Sequence, residues 1–411
     1  MWLSLLLAAC VAAQDPVPST GTWRASLETR GGALEFGLEL ARTGEAWSAV
    51  LVNADERIGV DAVTWKDGEL RIEFPHYDSR IVARPDHAGT LVGTWTKRSA
   101  PERVTELAFR AVAVAAPIGP PPSGPASTAI RTLEPSRWSL RFASESDAAV
   151  LAITRESAVL RATVLTTTGD YRFLSVADRA SGERGQPLAF SCFDGAHAFL
   201  FRASWTDDTT LAGDFWSGAT WHDTWTASLD PDARLPDPFE LTRANANVSL
   251  ASLRFRGLDG ELRSLDEGEL HGAPRLVQLF GTWCPNCNDE APYLAELDRR
   301  FRGRGLRVAG IAFELTGEFE RDAEQVRRFR ERWKLEYPLF VGGLSDKAAA
   351  SKAFPLLDKV RAYPTTLFVR RDGSVLAVHQ GYSGPATGPA HEKLRMEFER
   401  SIERLLTEDP K

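Results

Sequence analysis

The sequence predicts a multidomain chain: a duplicated all-β module, each copy a small antiparallel barrel or sandwich, followed by an α/β domain. Three observations carry this. Up to about residue 230, short alternating runs ("ALEFGLEL", "WSAVLV", "ELRIEF", "TLVGTW") recur between Gly and Asp turns, the period-two pattern of half-buried strands. Pieces of that stretch come twice. From about residue 238 onward, apolar strands alternate with amphipathic helices, which implies a partly parallel sheet with helices on both faces.

Taken in order, residues 18–114 form the first module, 115–129 a Pro/Gly/Ser linker around "APIGPPPSGPAST", and 130–232 the second module. Trp23 opens the first strand of one and Trp138 that of the other. The turn Phe74-Pro75-His76-Tyr77-Asp78-Ser79 is echoed by Ser191-Cys192-Phe193-Asp194-Gly195, and Thr90–Trp95 matches Thr210–Phe215 at an offset of 120. The modules' tryptophans (Trp23, Trp47, Trp65, Trp95, Trp138, Trp205, Trp216, Trp221, Trp225) read as core and barrel-mouth residues. His76 with Asp78, and His222 with Asp223, read as turn chemistry rather than acid–base pairs. In the third section, residues 240–411, the strand "RLVQLFGTW" leads into a helix that ends near Gly303. The strand "LRVAGIAFE", the helix "DAEQVRRFRERWK", the strand "YPLFVGG" and the helix "KAAASKAFPLL" follow. Two strands around an Asp-Gly turn, "YPTTLFVRRDGSVLAVHQG", and the helix "EKLRMEFERSIERLL" complete it.

Composition narrows the function classes. A formal charge of −7 across 411 residues argues against nucleic acid as a partner, because phosphate neutralisation needs a basic face. No apolar run approaches the roughly 20 residues a membrane-spanning helix needs. The start, "MWLSLLLAACVAAQDP", reads as a secretory signal over residues 1–13. Two processing routes fit it: Leu7-Ala8-Ala9-Cys10 resembles the lipobox of bacterial lipoproteins, with Cys10 lipidated, and Val11-Ala12-Ala13 offers a small-residue cleavage site. The expected location is therefore the bacterial periplasm or cell envelope, with any membrane attachment through lipid.

The four cysteines leave one plausible pair. Cys10 belongs to the signal and Cys192 lies in an apolar strand, whereas Cys284 and Cys287 stand three apart in "FGTWCPNCNDEAP". Structural zinc needs four ligands, and the seven histidines are scattered, so no metal is expected. Haem attachment needs His after the second cysteine, where Asn288 stands. A purely structural disulfide over so short a loop gains little chain entropy. Dithiol exchange fits better. A helix N-terminus favours a thiolate at Cys284, and the spacing puts Cys287 one turn along the same face to resolve a mixed disulfide. Glu290, three further on, projects from that face and is positioned to act as proton acceptor for Cys287. Pro292 should kink the helix at its second turn.

With these residues in view, "FGTWCPNC", the later "AYPTTLFVRRDG" and the strand–helix order resemble thioredoxin-fold disulfide oxidoreductases of the TlpA type, including the ResA-like reductases, over about residues 245–408. The resemblance implies reduction of protein disulfides without a cofactor, with a protein substrate and an upstream electron donor as partners. It makes Pro364 a cis-proline facing the cysteines and Glu290 a functional glutamate. It also takes Trp283, Pro285, Tyr363, Pro364 and Thr365 as substrate-binding, and implies an added strand and helix between Cys287 and Pro364. Gln278 departs from the pattern, standing where thioredoxin has a buried acid. Independently of family, an X-Pro bond before a strand leaves Tyr363's backbone groups available to an extended peptide. Two alternatives stay open. One is a peroxiredoxin-like peroxidase, although Thr282 is two rather than three residues before Cys284 and residue 278 is not proline. The other is a binding or docking protein whose β modules carry the main function.

Overall fold

A computed structural model describes residues 17–115, 133, 135–178 and 188–408, apart from 61, 87, 157 and 158. The expected signal, Cys10 with it, and all but the first residue of the expected linker lie outside the described residues.

Nine strands between residues 21 and 114 form one antiparallel sheet, in the order fourth, third, second, first, ninth, eighth, seventh, sixth, fifth. Alternation sets its inner face: Trp23, Ala25 and Leu27 of Gly21–Thr29 are buried with Leu34, Phe36, Leu38 and Leu40 of Gly32–Thr43. Nine strands between residues 136 and 229 form the second sheet, and there the second and third strands also pair, closing a ring of eight. The second module is thus a barrel filled by Trp138, Phe142, Phe190, Phe201, Phe215 and Trp225. The first is its open counterpart.

The two modules are copies in topology. In both, the first strand lies between the second and the ninth, and the eighth pairs with the seventh and the ninth. Trp23 and Trp138 are both buried on first strands. Gly93 and Gly213 both sit on eighth strands, and a Cβ at either would overlap a seventh-strand carbonyl, that of Val82 or Arg202. The reading of all nine tryptophans as core or barrel mouth needs one correction. Trp221 is 52% exposed, because its strand begins beyond the packed interior. Asp78 sits at φ +52 after the Pro75–Tyr77 turn, and His222 Nε2 meets Asp214 Oδ1 at 2.7 Å, not Asp223. The modules are not beads on a linker. Phe193, Ala196, Leu200 and Trp216 of the second pack into the first module's core, and Asn53 exchanges two 3.0 Å hydrogen bonds with the backbone of Phe193.

The C-terminal domain is a seven-stranded sheet with helices packed on it. Its elements are β1 (Arg254–Gly257), β2 (Leu262–Ser264), β3 (Arg275–Phe280), α1 (Pro285–Phe301), β4 (Arg307–Glu314), α2 (Phe319–Trp333), β5 (Leu339–Leu344), α3 (Lys347–Ala353), β6 (Thr365–Val369), β7 (Val375–Gln380) and α4 (Pro389–Thr407). The sheet order is β2-β1-β5-β4-β3-β6-β7, with β3, β4 and β5 parallel and the other pairs antiparallel. Every residue of β3 is buried, as a central strand covered on both faces requires. α1 continues without interruption through Pro292. An interior proline costs about 3 kcal/mol. Burying Tyr293, Leu294, Leu297 and Phe301, at about 1.5–3 kcal/mol each, more than offsets it. No described helix is long and apolar enough to cross a membrane.

Candidate functional site

The loop after β3 delivers Cys284 to the start of α1. Cys284 has extended backbone (φ −94, ψ 118) and caps the helix, its Sγ accepting from Cys287 N at 3.3 Å. Pro285 occupies the first helical position, where its missing N–H leaves no bond unmade. Both cysteines are thiols; Cys284 keeps 5% exposure and Cys287 none. Burial pushes the Cys287 thiol well above the usual range, and the nearby Cys284 and Glu290 charges push the same way.

Three groups fix the approach to Cys284. Trp283 donates from Nε1 to the carbonyl of Phe313 at 2.9 Å and meets the Tyr363 ring edge-on at 5.8 Å. Asn288, where a haem histidine would stand, donates to the carbonyls of Thr282 (3.0 Å) and Cys284 (2.9 Å). Glu314, the last residue of β4, takes the Thr282 N–H at 2.9 Å on one oxygen and the Thr282 hydroxyl at 2.8 Å on the other. Burial raises the Glu314 carboxyl to about 8. Glu314 was missed in the sequence; an acid ending the apolar run "LRVAGIAFE" was the available signal.

Tyr363–Pro364 is a cis peptide, and the Cys284 thiol faces the Tyr363 carbonyl at 3.5 Å. Thr365 is turned inward, its hydroxyl donating to the Ala362 carbonyl at 2.9 Å. Glu290 lies fully buried beneath the pair. Gln278 Nε2 of β3 donates to it at 2.5 Å and Thr366 Oγ1 of β6 at 3.0 Å. Those two residues face each other in the strand register, so β3 and β6 form one polar seat for the carboxyl. Loss of water raises Glu290 to about 7, against the lowering effect of the two donors. The structure therefore brings Trp283, Cys284, Cys287, Glu290, Tyr363 and Pro364 together around one helix end.

Residues 241–378 match the sequence model of the AhpC/TSA family. The thiol-disulfide oxidoreductase ResA of Halalkalibacterium halodurans is 26% identical over 143 residues, 34% of this chain and 70% of the relative. The C-terminal domain has a thioredoxin-like fold and is similar in sequence to ResA. Thioredoxin-like protein YneN of Bacillus subtilis is 27% identical to this chain over 127 residues, 31% of the chain and 66% of the relative. Thiol:disulfide interchange protein DsbE of Pseudomonas aeruginosa is 33% identical over 78 residues, covering 19% and 41%. The chain thus spans less than two thirds of the last two relatives. A solved thiol:disulfide interchange protein from Chlorobium tepidum TLS aligns at 22% identity over 40% of this chain and 97% of its own, with a TM-score of 0.30. The segment of the thioredoxin-like domain between Cys287 and Pro364 holds β4, α2, β5 and α3.

Proposed function

We propose that the chain is an exported thiol-disulfide oxidoreductase that reduces protein disulfides through Cys284 and Cys287. The observation that carries this reading is the column formed by a capping thiol, a second thiol buried one turn on, and a buried carboxyl held by Gln278 and Thr366. The Cys284 thiolate attacks one sulfur of the substrate disulfide. That S–S bond breaks, the other sulfur leaves as a thiolate and takes a proton from water, and a mixed disulfide remains on Cys284. Cys287 then gives its proton to Glu290 and attacks Cys284 Sγ. The mixed bond breaks, and the second substrate sulfur leaves, taking up the proton from Glu290. The substrate has gained two electrons and two protons, the chain carries a Cys284–Cys287 disulfide, and a dithiol donor resets it.

Domain boundaries at 18–114, 130–232 and 240–411 divide the chain into a β cover and this redox unit. Export rests on the apolar segment before Gln14, with Cys10 as lipid acceptor or Ala13 as cleavage site. Palmitate labelling that depends on Cys10 supports the first route, and a mature N-terminus near Gln14 the second.

The AhpC/TSA match favours peroxidase activity as the second reading. Against it, the Thr282 hydroxyl, the nearest hydroxyl before Cys284 in the sequence, donates to Glu314 rather than to a peroxide. Insulin reduction by the full chain tests the choice: Cys284→Ser should abolish it. Wild-type reduction of hydrogen peroxide at rates far above disulfide reduction would replace the first reading with the second.

A further inference from the structure

The helix end that carries the cysteines is covered by the barrel. Between the strands Val159–Thr166 and Gly169–Asp170, a tight turn lies against α1 and the loop after β7. Asp170 accepts from Gly384 N at 2.6 Å, and its own N–H points to Asn286 Oδ1 at 3.4 Å; Asn286 is one of the two residues between the cysteines. Thr167 O accepts from Gln380 Nε2 at 2.9 Å. The fit is close at Gly169 (φ +144), where a Cβ would overlap the Asn286 amide. The loop under the turn is tied in turn to the cis-proline, Gly381 N donating to Pro364 O at 2.8 Å.

Arg172, two residues further, fastens the arrangement. Its guanidinium bonds Asp289 of α1 on one side and Glu56 of the first module at 2.6 Å on the other. The three side chains keep only 12–15% of their exposure, so this is a buried ion triad. Removing the cation would leave two desolvated carboxylates without their counter-ion, which destabilises the closed state. A second seam lies on α2, where Arg321 pairs with Asp78 and Gln325 Nε2 donates to Pro75 O at 2.6 Å.

We propose that the 166–172 turn is a gate over the exchange site, latched by Arg172, and that it sets the substrate class. With the latch closed, small or extended disulfides reach Cys284. A disulfide on a folded protein reaches it only after the turn lifts, because even transient protein encounters bury several hundred Å² around the contact. This rests on the dithiol-exchange reading and adds no chemical step to it.

The test compares two disulfides reduced by the full chain with dithiothreitol as electron source: oxidised glutathione and insulin. Arg172→Gln should raise kcat/KM for insulin at least about 10-fold, as loss of a buried ion's partner opens the gate, and change that for oxidised glutathione less than about 3-fold. Asp289→Asn, which frees the other end of the latch, should act in the same direction if Arg172→Gln folds poorly. Parallel changes for both substrates, or an insulin rate that stays put in both variants, overturn the gate. Alkylation of Cys284, located by mass spectrometry, separates this failure from failure of the reductase reading because it needs no turnover. N-ethylmaleimide should label wild type far faster than a polymer-tailed maleimide, and Arg172→Gln should narrow that gap. Equal narrowing by denaturation alone, with none in the folded variants, again overturns the proposal.

Discussion

Glu290 shows how much a single residue's environment decides. Its spacing from Cys287 put it on the cysteine face from sequence alone, since residues three apart share one side of a helix. What spacing did not give was its seat. Gln278 and Thr366, which hold it, come from two strands 88 residues apart in number, 278 and 366, that only the sheet register makes neighbours. Glu290→Gln keeps shape and removes the base, so turnover should fall about 10–100-fold near neutral pH. The loss should shrink as pH rises and Cys287 ionises unaided, which a pH–rate profile of both proteins reads directly. Equal rates at every pH would assign the base elsewhere. The same group predicts a stability effect. Its folded pKa of about 7 lies above the ordinary 4.5, so the folded state binds its proton more tightly. The resulting cost to folding is absent below about pH 4.5, grows as pH rises, and is complete above about pH 7. Glu290→Gln should therefore be more stable than wild type by about 1–3 kcal/mol at pH 8 and not at pH 4.5, as measured by urea unfolding.

At the scale of elements, the local code was readable and closure was not. Alternating runs gave the strands, and the change of rhythm near residue 238 gave the α/β domain, because period two and period 3.6 are written in neighbouring residues. Whether each β module would be a barrel or a sandwich depended on one pairing, between Ala149–Glu156 and Val159–Thr166, that the second module closes into its ring. Helix α1 kept its course through Pro292 because burial of its inner face outweighs one lost bond, a balance that proline's local rule does not contain. The repeat at an offset of 120 turned out to have a physical anchor in Gly93 and Gly213. Gly213→Ala should destabilise the barrel by about 1–3 kcal/mol, since the obstructing group is backbone and cannot swing away. Gly303→Ala, which meets nothing within 4 Å, should stay within about 0.5 kcal/mol in the same thermal melts.

For the whole molecule, the sequence suggested modules in a row, and the structure stacks them over the redox site. The contacts that do this join residues more than 100 positions apart: Arg172 to Glu56 and Asp289, Asn53 to Phe193, Arg321 to Asp78. Nothing in the neighbourhood of Arg172 in the sequence marks it, whereas the cysteine pair announces itself by spacing. The central claim is that this covered pair exchanges disulfides, with Cys284 attacking and Cys287 resolving. The most direct measurement is on the full chain carrying Cys287→Ser, incubated with a disulfide substrate and analysed by mass spectrometry without reductant. A stable mixed disulfide on Cys284, absent from Cys284→Ser, is the predicted result. A mixed disulfide trapped instead on Cys287 in the Cys284→Ser chain, or none in either variant, would contradict it.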